Sequence, residues 1–171
     1  MSSTRAIRLD DAADLARLLT TDREVMEPVE PLRPEAFFTE AGQRDRLSRE
    51  LGEQGQGVTV PLGILDAVGT LVGQVTLFHL VRGPMESGSV GYWLSSSAQG
   101  RGLATQALQE ACALAFGELH LHRLQAGTLL TNVRSQAVLR RVGFEQIGVA
   151  RSSIRIAGRW QDQLLHQLVA P

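Results

Sequence analysis

Ser89-Val-Gly-Tyr-Trp-Leu-Ser-Ser-Ser-Ala-Gln-Gly-Arg-Gly-Leu-Ala-Thr105 decides how this chain folds. Val90, Tyr92 and Leu94 alternate with smaller or more polar neighbours, as in a strand with one face on a core. Gln99-Gly100-Arg101-Gly102 interrupts that alternation. Leu103, Ala107, Ala111, Leu114 and Ala115 then recur at spacings of three and four, which predicts a helix with one apolar face. The two glycines lack the Cβ atoms that would hold a ligand off the backbone. Free N–H groups and the positive end of the helix dipole suit a phosphate or pyrophosphate at such a start. A tight strand-to-helix turn explains the same glycines without any ligand.

Several phosphate sites and chemistries are excluded by residue type. The third glycine of a dinucleotide fingerprint is replaced by Thr105, and no acidic residue ends a following strand at the expected offset. No lysine follows the glycines, so the turn is not a Walker loop; all 17 basic residues are in fact arginine. A lysine Schiff base and chain-linked pyridoxal phosphate are therefore impossible. Cys112 is the only cysteine and falls on the apolar helix, as a small core residue would. It leaves no intramolecular disulfide and no cysteine-rich zinc site. His120 and His122 alternate but find no third ligand at a recognisable spacing, and His79 and His166 are isolated, so no metal is expected. No serine stands in a Gly-x-Ser-x-Gly elbow.

The length of 171 residues suits one domain, expected over 1–171. Net charge is −1, but it is unevenly spread. Residues 1–90 hold nine arginines and 14 acids, a net of −5; residues 91–171 hold eight and four, a net of +4. The half with the glycine turn is thus the basic half, which favours an anionic ligand there. No polyanion partner is implied for the whole molecule; a basic face for RNA is the competing reading of this half, and direct sequence-specific nucleic-acid binding is not expected. No apolar run approaches the roughly 20 residues of a membrane span, and no secretory signal opens the chain. A cytoplasmic protein is the expectation.

Taken in order, residues 4–9 predict a first strand, and Asp10 or Asp11 a cap for the helix carrying Leu15, Leu18 and Leu19. Residues 27–34 hold three prolines and exclude regular structure; Pro34 is suited to open a second helix with Phe37, Phe38 and Leu47 inside. Residues 52–57 read as a polar glycine turn. Residues 58–65 and 71–81 predict a hairpin closed by 66–70, with Pro61 marking an edge or bulge. After the long helix come a strand over 122–130 and a short helix over 133–141. Asn132 is suited to cap that helix at its start and Gly143 at its end, with Val138 and Leu139 facing in. Strands over 144–149, 153–156 and 162–169, with a turn at Gly158, complete the set. This order predicts an α+β fold: a mixed, mostly antiparallel sheet with helices on both faces.

Gln99-Gly100-Arg101-Gly102-Leu103-Ala104 matches Gln/Arg-x-x-Gly-x-Gly/Ala, and Asn132-Val-Arg-Ser135 with Gly143-Phe144 follows at a matching distance. Together these resemble the GCN5-related N-acetyltransferase (GNAT) superfamily. Gly91-Tyr92-Trp93-Leu94 narrows the resemblance to its RimJ/RimL branch. Leu80-Val-Arg-Gly83 and Gly158-Arg-Trp-Gln-Asp162 are similar to the RimJ side, the alanine acetyltransferases of ribosomal protein S5. The resemblance implies a GNAT fold, acetyl-CoA as cosubstrate, and an amine acceptor: a protein N-terminus or a small-molecule amine such as a polyamine, aminoglycoside or amino acid. It implies a monomer or homodimer. The chain departs from the branch at Ser89, where many members carry glutamate, and at Gln163, where histidine is frequent. A catalytically silent CoA-binding or ribosome-interaction module is the competing reading.

The resemblance also implies roles. Tyr92, Trp93 and Leu94 would run beside the pantetheine arm, and Gln99, Gly100, Arg101, Gly102, Leu103, Ala104 and Thr105 would hold the pyrophosphate. Asn132 would cap its helix and touch the pantetheine. Ser135 is the candidate for protonating the leaving sulfur, or for a simple first-turn bond to its own backbone. Glu86 is the candidate base through water, or a plain loop carboxylate. A bulge that splays the 89–94 strand from its neighbour would turn N–H groups of Gly91 to Leu94 toward the thioester carbonyl. The proline segment would wall the acceptor site, or serve only as a linker.

Overall fold

The computed structural model describes residues 3–171; Met1 and Ser2 of the expected domain lie outside the described residues. A short strand, β1 (Thr4–Ala6), leads into helix α1 (Ala12–Thr21) and a single turn, α2 (Arg23–Met26). The first strand is shorter than expected, and Asp11 does not cap α1. Its carboxylate is taken by the Arg5 guanidinium at 2.6 and 2.8 Å and by the Arg8 N–H at 2.7 Å. The proline segment crosses as an irregular strap. Pro34 precedes only a 3-10 turn, Glu35–Phe38. Helix α3 (Glu40–Gly55) starts at Thr39, whose hydroxyl accepts from the Gly42 N–H at 3.1 Å. Gly52 and Gly55, expected in a turn, instead form the last turn of α3, where both face solvent and the neighbouring Leu51 still packs against the Leu47 core. The turn comes at Gly57, with φ +73°.

Strands β2 (Thr59–Leu65), β3 (Leu71–Val81) and β4 (Ser87–Leu94) form an antiparallel meander. Pro61 sits in an interior strand, but its carbonyl accepts from Ile7 N–H, just past the end of β1. Its missing N–H therefore faces the same side, where the neighbouring strand has stopped. Helix α4 (Leu103–Gly117), strand β5 (Arg123–Leu129) and helix α5 (Val133–Val142) follow. The expected strands at 144–149 and 153–156 are one bulged strand, β6 (Glu145–Ile156), which turns into β7 (Arg159–Val169). Ala157 and Gly158 both have positive φ, as a two-residue hairpin whose twist matches its strands requires.

The seven strands lie in the order β1-β2-β3-β4-β5-β7-β6, with β4–β5 the parallel pair. Helices α1 and α3 cover one face over a core of Ile7, Ala12, Leu15, Leu47 and Leu71. The other face carries the larger core, where Leu108, Ala111 and Cys112 of α4 and Leu139 of α5 meet Ile64, Val75, Leu77 and Leu124. The fold is the expected α+β sheet with helices on both faces.

Candidate active site

Parallel pairing of β4 with β5 runs only from Ser87–Ser89 against Arg123–Gln125. Both strands continue, to Leu94 and Leu129, without pairing to each other among the described residues. The parting needs no bulge on this side of β4. The irregularity lies on the far side, against β3 between Phe78 and Val81, where His79 takes φ +52°. N–H groups of β4 that face β5 are thereby left to the opening. A groove of about 2530 Å³ runs through it.

Alternation along β4 assigns its side chains to opposite walls. Tyr92 joins the α4/α5 core, and Trp93 packs with the α1/α3 core. The Tyr92 hydroxyl lies 2.9 Å from Ser135 Oγ and donates to the Ser135 carbonyl at 3.2 Å. Burial pushes the phenol up to about 12, against the lowering effect of the Ser135 hydrogen bond, so it stays protonated at neutral pH. Asn132 caps α5, its side chain accepting from the Ser135 N–H at 3.2 Å. Ser135 is thus fixed from both sides at the first turn of α5.

At the other end of β4 the chain turns through Gly100 (φ +77°) and Gly102 (φ +80°) into α4. The left-handed region explains why both are glycine. Helices α3 and α5 are capped by side chains, whereas α4 has Gly102 at its N-cap and no side-chain cap. No acidic residue stands in its first turn. That leaves backbone donors and the positive dipole end available to an anion. Gln99 folds back, its Nε2 donating to the Leu94 carbonyl at 3.1 Å while its Oε1 accepts from Arg134 at 3.3 Å. Arg134 and Arg141 line the groove.

The groove brings together Tyr92, Trp93, Leu94, Gln99, Gly100, Gly102, Leu103, Ala104, Thr105, Asn132 and Ser135. Arg101 does not line it; Arg134, one residue before Ser135, supplies a positive charge instead. Glu86 stands apart from these residues. It lies outside the groove, bound to the Gly83 N–H at 2.9 Å and paired with Arg82 at 3.2 Å. Its backbone carbonyl accepts from His122 and Arg123 at the entry to β5. Glu86 therefore closes the loop before β4 and is not brought to the parted strands.

The opposite wall is formed by the strap from Glu27 to Pro34, by Phe37 and Phe38, and by Arg46 and Glu50 of α3 over the β3 floor of Gln74, Thr76 and Phe78. The strap reaches the β6–β7 turn, where Ala157 N–H donates to the Glu30 carbonyl at 3.0 Å. The prolines and the family resemblance pointed to the strap but not to Arg46, Glu50 or Gln74; the bonds from Arg46 and Glu50 to Gln74 span 28 and 24 residues of sequence. Cys112 is buried, and burial pushes its thiol up to about 12, so it is no nucleophile.

Residues 4–145 match the family description "Acetyltransferase (GNAT) domain". The chain is 31% identical over 168 residues to the [ribosomal protein uS5]-alanine N-acetyltransferase of Escherichia coli, covering 98% of this chain and 87% of that one. The structure of Mycobacterium smegmatis RimJ in complex with CoA-disulfide superposes with a TM-score of 0.94 at 32% identity, over 98% of this chain and 81% of that chain. The ribosomal-protein-S5-alanine acetyltransferase of Vibrio fischeri gives 0.92 at 30% identity, over 97% and 91%. With a sheet parted at β4–β5, an uncapped glycine start on α4 and relatives of this kind along nearly its whole length, the chain belongs to the GNAT N-acetyltransferases, in their RimJ/RimL branch.

Proposed function

We propose that the protein transfers the acetyl group of acetyl-CoA to the N-terminal α-amine of a protein, a ribosomal protein above all, by direct attack of the amine on the thioester. The observation that carries this reading is the parting of β4 from β5 beyond Ser89 and Gln125, with the glycine start of α4 at one end and the strap-walled basin at the other. A thioester supplies an already activated acyl carbon, so the chain's task is positioning and charge stabilisation. The β5-facing N–H groups of β4 suit the carbonyl oxygen as it gains charge. Ser135, oriented by Tyr92 and Asn132, is placed to give a hydrogen bond or proton to the leaving sulfur. Gly100, Gly102 and Arg134 hold the pyrophosphate. A strong base is not required. An α-amine with pKa about 7.7–8.0 is roughly a tenth neutral at pH 7.

The relative named for uS5-alanine acetylation supports a protein N-terminus as acceptor. Intact-mass analysis of ribosomal proteins from the host, with and without the gene, tests the reading. One ribosomal protein should be lighter by a single acetyl group when the enzyme is absent. Unchanged masses throughout, with purified protein acetylating small amines, would overturn the protein-acceptor assignment.

A further inference from the structure

The face of the sheet beneath α3 carries a polar network that cofactor binding does not use. Gln43 and Gln74 are 0% and 2% exposed. Gln43 donates to the Phe37 carbonyl at 2.5 Å and accepts from Arg46 Nε at 2.8 Å. Arg46 then donates to Glu50 Oε1 at 2.6 Å and to Gln74 Oε1 at 2.9 Å. Gln74 Nε2 donates to Glu50 Oε2 at 2.9 Å and lies 3.1 Å from Thr76 Oγ1. Gln74 and Thr76 stand opposite Trp93 and Gly91 in the β3–β4 register. Glu50 is therefore held above β3, beside the part of β4 that has left β5.

The other carboxylates on the groove, Glu27, Glu30, Asp45 and Glu53, belong to the strap and to other turns of α3. Of the cationic or titratable groups on the same groove, Arg46 bonds Glu50 directly, while Arg49 of α3, His79 of β3, Arg23 of α2 and Arg33 of the strap also line it. A carboxylate accepts about four hydrogen bonds; the two oxygens of Glu50 have one named donor each, and its side chain is 21% exposed. Acceptor positions thus remain for a ligand. An apolar contact would fasten α3 to the sheet at lower desolvation cost than a half-buried ion pair, which points to a use for the charge.

Resting on the acyl-transfer reading above, we propose that Glu50 binds the ammonium form of the acceptor and so selects a cationic primary amine presented beside Gly91 and Trp93. Arg46 offsets part of its charge and fixes its rotamer, and Gln74 sets its height above β3. The ammonium loses its proton to water before the neutral amine attacks.

The test is calorimetric titration of the CoA-loaded full chain with a peptide bearing a free N-terminal alanine and with its Nα-acetylated form, at about pH 6.5 and about pH 9.5, either side of the amine pKa. Wild type should prefer the free amine at least about tenfold at the lower pH, and the preference should shrink at the higher pH. In Glu50→Gln the preference should vanish at both, with CoA affinity within about twofold. The double variant Arg46→Gln/Glu50→Gln, which leaves no uncompensated guanidinium, should behave alike. Retention of the preference in both variants overturns the proposal. So does its loss only in step with lost CoA affinity and a lowered Tm, which marks a purely structural network. A wild type that discriminates spermidine from its acetylated derivative, but not the two peptides, overturns the protein-acceptor reading instead; the Glu50 comparison is then read on spermidine by the same criteria. No discrimination on either pair overturns the Glu50 assignment.

Discussion

Ser135 is positioned through its backbone, and its proposed role rests on its side chain. The Asn132 cap bonds the Ser135 N–H, so Ser135→Ala leaves the start of α5 intact. The hydroxyl, 2.9 Å from the Tyr92 phenol, is the only group lost. Proton donation by a placed side chain is typically worth about 10²–10⁴-fold. Ser135→Ala should lower kcat by about that range while acetyl-CoA affinity, measured by calorimetry, stays near wild type. A kcat within about threefold of wild type would remove Ser135 from the chemistry. Glu86→Gln is the matched control. Its carboxylate lies outside the groove, so acetyl transfer should be unaffected.

The start of α4 is a property of the element more than of any one side chain. An added Cβ at Gly102 would meet nothing within 4 Å, so the protein does not exclude a side chain there by packing. The φ of +80° does, because an L-residue pays about 1–2 kcal/mol in the left-handed region. Gly102→Ala should therefore cost about 1–2 kcal/mol in denaturant unfolding. Gly102→Glu should cost a similar amount and also place a carboxylate at the uncapped N–H groups of α4, the proposed phosphate position. Comparing the two isolates charge from strain. CoA binding should survive in Gly102→Ala and be abolished in Gly102→Glu. Affinities within about threefold of each other would move the phosphate site elsewhere.

At the scale of the molecule, buried carboxylates bind distant elements together. Asp22, between α1 and α2, accepts from the Ser96 N–H at 2.9 Å and from the Ser96 hydroxyl, clamping the exit of β4 to the α1 side. Asp11 clamps β1 to α1 through Arg5. Burial alone would raise both carboxyl pKa values, but the hydrogen bonds outweigh it and the net shift is downward. A depressed carboxylate pKa adds stability above the unfolded value of about 3.9, and that stability is lost as pH falls through the folded value. The protein should therefore lose stability below about pH 4. Asp22→Asn, which turns an amide N–H against the Ser96 donors, should cost about 1–3 kcal/mol at pH 7 and flatten that acid limb. Denaturation midpoints at neutral and acid pH measure both effects. An acid limb as steep in Asp22→Asn as in wild type would show that the clamp does not control it.

Local information was enough for most of the elements and for the glycine start of α4. The period-three-and-four face of α4, the left-handed glycines at 100 and 102, the Asn132 cap and the Gly143 stop are all set by residues within a few positions of one another. Their physics is complete in the sequence, and so was the α+β class that follows from their order. The parting of β4 from β5 was anticipated, but its cause was not: parallel pairing simply ends after three residues, and the bulge belongs to the β3 side. Gly52 and Gly55 stay helical in a last turn of α3 whose Leu51 packs on the core, a contact between distant segments that local glycine preference does not reveal. Glu86 and Glu50 show the limit most clearly. Glu86 was near the central strand in sequence, but its neighbours Gly83 and Arg82 claim its carboxylate. Glu50 was 24 residues from Gln74 and carried no motif, yet packing of α3 on β3 sets it beside the parted end of β4. Which carboxylate lines the groove depends on helix-to-sheet packing between distant segments, and only the tertiary structure decides that.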